Sequence, residues 1–298
     1  MNRRSPWIGP ALLMLLGLSW GLSFSLVKMA AGGFSAVAIV ALPGTTGALV
    51  LLAICRAQGR WPGLDWASLR FYGVCALLSS VGPFMVSATV APHLDAGTLT
   101  LIGSMPPVFT YAFAVAAGLE RITVMRLTGL ACGLASAAVL SAPGAQFLDP
   151  AKWVLAALTA PLLYGAYHVA AARLWPAGAT TAEVSAGAMT VGVLVLAPVA
   201  ILGGHLQALA EPWGSAHVGL VGLMILIPLD ALLFFEIIRR SGPYVATQAN
   251  FIGVVSGVGF AVFVLGETPG SSLWLSAILL VMALGLSLAP QPRPKTVE

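Results

Sequence analysis

The chain has 298 residues, 59% of them hydrophobic and only 8% charged, with a mean hydropathy of +0.96. A soluble domain carries about 25% charged residues, so this composition excludes a soluble globular protein and predicts one embedded in a membrane. The formal net charge of +4 is no mark of nucleic-acid binding, because the basic residues are scattered over the ends of apolar stretches.

A helix needs about 20 apolar residues to cross roughly 30 Å of hydrocarbon. Ten stretches reach that length: 8–29, 34–55, 69–90, 96–118, 124–142, 152–172, 182–202, 216–238, 243–265 and 272–290. The longest connections, around 56–68, 142–151 and 203–216, are too short to be folded domains. The first stretch follows Arg3 and Arg4 as a signal peptide would, but its apolar run exceeds the usual h-region of about 7–15 residues. It is therefore taken as a true span. With the N-terminus in the cytoplasm, twelve of the fourteen basic residues fall inside and only Lys28 and Lys152 fall outside. Such a bias is what the positive-inside rule demands, and both termini are then cytoplasmic. Cys55, Cys75 and Cys132 lie in or beside apolar stretches without metal-ligand spacing and read as small apolar residues.

The two halves resemble each other. Trp20-Gly21 aligns with Tyr164-Gly165, Glu120 with Glu267 and Thr100 with Thr247, at offsets drifting from 144 to 147 residues. Each half holds five spans, an odd number, so the second enters the membrane with opposite orientation. The predicted fold is all-α, with ten transmembrane helices as two inverted five-helix repeats, residues 1–146 and 147–298, N-in and C-in. Inverted repeats of this kind place a substrate site near the midplane between the halves.

Several short motifs carry a family resemblance. They are Trp20-Gly21 with Ser23, Phe24 and Lys28, then Pro106-Pro107 with Phe109, then Gly266-Glu267-Thr268. Together with the spans and the repeat, they resemble the drug/metabolite transporter superfamily, specifically its EamA-type members. The chain departs from that pattern at Leu42-Pro43-Gly44, where an arginine is usual, and at Gly118-Leu119-Glu120, where Gly-Glu is usual. The resemblance implies export of small metabolites, often amino acids or their relatives, across a bacterial inner membrane, with no cofactor, by a monomer or homodimer.

Polar groups inside spans are the best functional pointers. From the rise per residue, Asp230 lies roughly 4–5 Å to the cytoplasmic side of its span centre, Asn250 about 6 Å and His168 about 9 Å. Helical spacing puts Tyr164 with His168 on one face, Ser19 with Ser23 on another, and Thr100, Ser104, Pro107 and Tyr111 on a third. Candidate substrate contacts are Trp20, Ser23, Thr100, Ser104, Tyr111, Tyr164, His168, Thr247 and Asn250. Helix packing is the competing reading for each hydroxyl and amide.

Glu236 has Arg239 and Arg240 at i+3 and i+4 as partners. Asp230 has no such local partner. Three arrangements would make it tenable: a protonated carboxyl in a hydrogen bond, a pair with His168, or a place on a water-filled cavity where it meets substrate or proton. Asp230 and His168 are the candidate proton-coupling groups. Lys28 and Lys152 read as interfacial snorkellers, and Glu120 and Glu267 as groups that fix helix ends. Prolines interrupt six spans, at Pro43, Pro83, Pro106-Pro107, Pro161, Pro198 and Pro228. Each leaves a carbonyl free one turn upstream, for Pro228 that of Met224. The GxxxG pairs Gly17/Gly21, Gly129/Gly133 and Gly253/Gly257 suit close packing within the chain, or a dimer through Gly129/Gly133.

Other classes fit less well. G-x-S-x-G at 17–21, with His168 as base, would make an intramembrane serine hydrolase on Ser19, but that motif needs a strand–turn–helix elbow. No Walker A sequence marks a primary pump, and the histidines are too dispersed for a metal carrier. A passive channel lacks an explanation for the inverted repeat.

Overall fold

The structure is a computed structural model that describes residues 8–118, 122–141, 150–206, 212–241 and 249–287. Every regular element among them is helical. In chain order these are α1 (Ile8–Ala31), α2 (Ala36–Ala57), α3 (Trp66–Cys75), a π-helical turn (Ala76–Val81), α4 (Gly82–Val90) and a 3-10 turn (Ala91–His93). Then come α5 (Ala96–Gly103), α6 (Pro106–Ala116), α7 (Val124–Ser141), α8 (Pro150–Ala157), α9 (Thr159–Leu174) and α10 (Thr181–Leu202). The last three are α11 (Ser215–Ser241), α12 (Ala249–Phe263) and α13 (Ser271–Ser287).

Seven segments among the described residues are long and apolar enough to cross a membrane: 9–31, 36–57, 66–93, 96–116, 151–171, 181–202 and 215–234. Three shorter apolar helices, at 124–140, 249–263 and 271–286, stand where the fifth, ninth and tenth spans were expected. The ninth was expected from residue 243, and 242–248 lie outside the described residues. So do Glu120 and Thr247, and the side chains of Arg239 and Arg240.

Proline chemistry explains which segments break. Pro106-Pro107 cannot donate backbone hydrogen bonds, so the chain restarts as α6 after α5 ends at Gly103. Pro83 removes the donor to Ser79, and the preceding turn widens to a π-helix in which Gly82 N–H reaches back to Leu77. Pro43, Pro198 and Pro228 stay inside continuous helices. For Pro228 the freed Met224 carbonyl is met from another helix: the Thr46 hydroxyl lies 3.0 Å from it and 2.8 Å from Pro43 O, and its one hydrogen is shared between the two.

Helix pairs recur in mirrored fashion. α1 packs on α11 and α12, while α9 packs on the α3–α4 segment and on α6. α2 meets α11 as α10 meets α3, and α2–α10, α5–α12 and α7–α13 join the halves. Gly21 and Gly165, aligned in sequence, both sit where backbones nearly touch. A Cβ on Gly21 would stand 2.5 Å from Gly257 N and 2.9 Å from Gly253 O of α12. One on Gly165 would stand 2.9 Å from both Phe109 C and Thr110 N of α6. The 147-residue offset carries Phe109-Thr110 onto Ser256-Gly257, so the two crossings are counterparts. Gly17 and Gly21 therefore serve packing within the chain. Gly133 does as well, since a Cβ there would meet the Val108 side chain of α6.

Candidate functional site

Two walls carry the polar groups of the bundle's interior. The first is α9 with α6. His168 Nδ1 lies 2.8 Å from Thr110 Oγ1, whose single hydroxyl hydrogen goes to Pro106 O at 2.8 Å. Both contacts are satisfied only if Nδ1–H donates to Thr110, which leaves Nε2 as a bare acceptor. His168 is exposed on α9. Tyr164 and Tyr167 share this wall and are half-buried. The Tyr167 ring stands 5.3 Å from that of His168.

The second wall is α1 with α11. Asp230 faces Ser19 across it. Ser19 is 5% exposed, and among the described residues neither its Oγ nor Asp230 Oδ1 has a hydrogen-bond partner. One turn on, Phe234 lies 6.2 Å from the Trp20 ring. The Ser23 hydroxyl donates to Ser19 O at 2.9 Å. Asn250, half-buried, stands in the first turn of α12, which packs on α1.

These placements revise the sequence reading in three respects. Asp230 and His168 do not pair: each has its own neighbour on its own wall. By the same separation Ser19 and His168 form no nucleophile–base dyad. Nor do Thr100, Ser104 and Tyr111 share one polar face, because the break at residues 104–105 resets the helical phase. Thr100 and Ser104 are buried and donate back to Ala96 O and Thr100 O, at 2.8 and 2.9 Å. Thr100 fills the α5–α12 crossing against Gly257. Tyr111 OH accepts the Thr123 N–H at 3.1 Å, and the Arg126 guanidinium lies over its ring, so it holds one end of the bundle. Thr110, Tyr167 and Thr46 were not singled out from sequence. For Thr46 the only signal was the proline-freed carbonyl it satisfies.

The opposite end is tied by charge. Glu267 takes the N–H groups of Ala96 and Gly97, at 2.8 and 3.2 Å, and so caps α5 from the other half of the chain. The Lys28 ammonium donates to the carbonyls of Ala91 and Leu94. Asp95 sits between them. Burial first, then the Glu267 carboxylate, raises its carboxyl from the ordinary value to about 6, with Lys28 opposing. The folded chain thus holds a proton that an unfolded chain releases between about pH 4 and 6. The stability from Asp95 is full below that window and is lost as pH rises through it. The thermal midpoint is expected to fall across this window, and Asp95→Asn to flatten that part of the slope.

A separate crevice of about 240 Å³ is apolar, lined by Met105, Val108, Leu134, Leu155 and Leu162 among others. Leu134, Leu155 and Leu162 are exposed on the outside of the bundle, so it is no part of the polar interior.

Comparison with known proteins follows the same division into halves. The profile of the EamA-like transporter family matches residues 7–142 and again 151–289. A relative from Streptantibioticus cattleyicolor, described as a probable terminal-alkyne amino-acid exporter, is 28% identical over 288 residues, covering 90% of this chain and 91% of its own. A protein of known crystal structure superposes with a TM-score of 0.63 at 21% identity, over 92% of this chain and 95% of its own. That likeness establishes the fold alone.

Proposed function

The chain belongs to the EamA-like transporter family, and from that premise we propose that it exports small amphipathic metabolites, amino acids or their relatives, by alternating access. It is an integral membrane transporter and not an enzyme. The proposal adds a direction, a mechanism and a driving force. Residues 1–146 and 147–298 act as two inverted five-helix units in a bacterial inner membrane, with both termini cytoplasmic. Export is coupled to proton entry through Asp230, with His168 as a second titratable group on the facing wall.

The observation that carries this reading is the mirrored packing. α1 crosses α12 at Gly21 as α9 crosses α6 at Gly165, so each half offers the other an equivalent surface. Two equivalent packings that exchange roles give one site access to either side in turn. In the assigned orientation the Lys28–Asp95–Glu267 cluster closes the outer end, and His168 looks toward the cytoplasm. The description of the relative as an amino-acid exporter supports the substrate class.

Cells loaded with an amino acid through its dipeptide test the direction of transport. Expressing the chain is expected to speed appearance of the free amino acid in the medium several-fold. Unchanged efflux across a panel of amino acids would count against export.

A further inference from the structure

The repeat supplies an internal comparison for Asp230. The offset that aligns Gly21 with Gly165 carries Ser19 onto Leu163, and across its drift from 144 to 147 residues Asp230 falls on the apolar stretch 83–86. The counterpart of the Asp230–Ser19 contact is thus the one around Gly82-Pro83 and Leu163. It is apolar and tight: a Cβ on Gly82 would stand 2.9 Å from a Leu163 methyl. The fold closes this crossing without a carboxyl or a hydroxyl. Packing therefore gives no reason for either group on the α1–α11 side.

What the α1–α11 side holds is unmet hydrogen-bonding capacity. Asp230 Oδ1 and Ser19 Oγ are both buried, and among the described residues neither has a partner. No lysine, arginine or histidine among the described residues forms an ion pair with Asp230. A buried carboxylate oxygen that receives no donor is costly, and a cation that brings its own N–H donors removes that cost. The Phe234 ring, one turn along α11 from the acid, lies 6.2 Å from that of Trp20, which follows Ser19 on α1, and aromatic faces favour an adjacent cation. The helix break at Pro106-Pro107 is not a ready anion site, because two prolines remove the first donors of α6 and Val108 N–H is already given to Met105 O.

We propose that Asp230 and Ser19 form a binding site for the primary ammonium group of the transported solute, with its apolar part directed along Trp20 and Phe234. This rests on the reading of the chain as a transporter and names the chemical group its site selects. The carboxylate takes one N–H of the ammonium and the serine hydroxyl a second. A trimethylammonium group, having no N–H, satisfies neither.

The test is competition for exchange in proteoliposomes holding the full chain. The labelled solute is whichever amino acid of a panel exchanges. The competitors are its decarboxylated amine, its deaminated acid and its N-trimethyl derivative. The amine is expected to compete within about tenfold of the amino acid, and the acid and the trimethyl form at least tenfold more weakly. Asp230→Asn is expected to lose at least tenfold in affinity for the amine, Asp230→Glu to keep most of it, and Ser19→Ala to lose a smaller factor. Thermal midpoints are read in parallel, so that a misfolded variant is recognised and Ser19→Ala then carries the comparison. Competition by the acid as strong as by the amine would overturn the assignment. So would exchange confined to solutes without an amine, or a folded Asp230→Asn or Ser19→Ala that binds the amine unchanged. Absence of exchange for every solute would instead refute the transporter reading itself.

Discussion

Gly21→Val is expected to destabilise the folded protein strongly. The added carbons would have to enter the space of Gly257 N and Gly253 O, at 2.5 and 2.9 Å from the first of them. These are backbone atoms of a packed helix and cannot rotate away as a side-chain tip can. Overpacking a close contact costs about 1–3 kcal/mol and more when backbone must move, a large share of a typical domain's stability of about 5–15 kcal/mol. Gly165→Val, at the counterpart crossing, is expected to fail in the same way. Gly259→Ala is the control, because a Cβ there meets nothing within 4 Å. Thermal midpoints in detergent decide the matter. A loss of about 5 °C or more is expected for the two valine variants, and little change for Gly259→Ala. A Gly21→Val protein as stable as the parent would mean that α1 and α12 do not pack as described.

Asp230→Asn is expected to abolish the response of transport to a pH gradient. The amide keeps the size and hydrogen-bonding reach of the carboxyl but neither gains nor loses a proton. A charge-assisted hydrogen bond contributes about 1.5–3 kcal/mol, so at least a tenfold loss of transport is expected as well. In proteoliposomes an imposed gradient should accelerate export by the parent chain and leave the variant's residual rate unchanged. His168→Gln separates the two titratable groups. If it removes the response while Asp230→Asn does not, the coupling group has been assigned to the wrong wall.

Local signals in the sequence were the readable ones. Pro228 identified Met224 as the residue with a free carbonyl, and a carbonyl in that position needs a donor whatever the fold. That Thr46 provides it follows from the contact of α2 with α11, which no local pattern encodes. Glu267 was legible as a group that fixes a helix end. Which end could not be read, because Ala96 lies about 170 residues away and becomes its neighbour only when the halves meet. The paired glycines Gly21 and Gly165 were legible as repeats, and the structure adds that both are crossings. The error over Thr100, Ser104 and Tyr111 has a simple cause. A common face was assumed across Pro106-Pro107, the residues that end the helix on which the assumption depends. Asp230 and His168 were assigned to one layer by depth, but depth does not give the angle around a bundle. The two lie on different walls for that reason.

Tyr167 illustrates a different limit. It shares α9 with Tyr164 and His168, yet a tyrosine in an apolar helix is as often filler as ligand, and here it packs against the buried cluster of Phe71, Tyr72 and Cys75 while its ring also touches that of His168. Thr110 was equally anonymous, a threonine after two prolines, until the imidazole was seen to rest on it.

The central claim is that this chain carries a solute through one site that opens to each side in turn. Counterflow in proteoliposomes tests it most directly. Vesicles loaded with an excess of unlabelled amino acid are diluted into a trace of the labelled one, across a panel, with the empty vesicle as reference. The account predicts transient accumulation of label above its external concentration, saturable in the internal solute and at least tenfold slower in Asp230→Asn. Equilibration without overshoot would mean a channel, and no flux of any solute would contradict the account altogether.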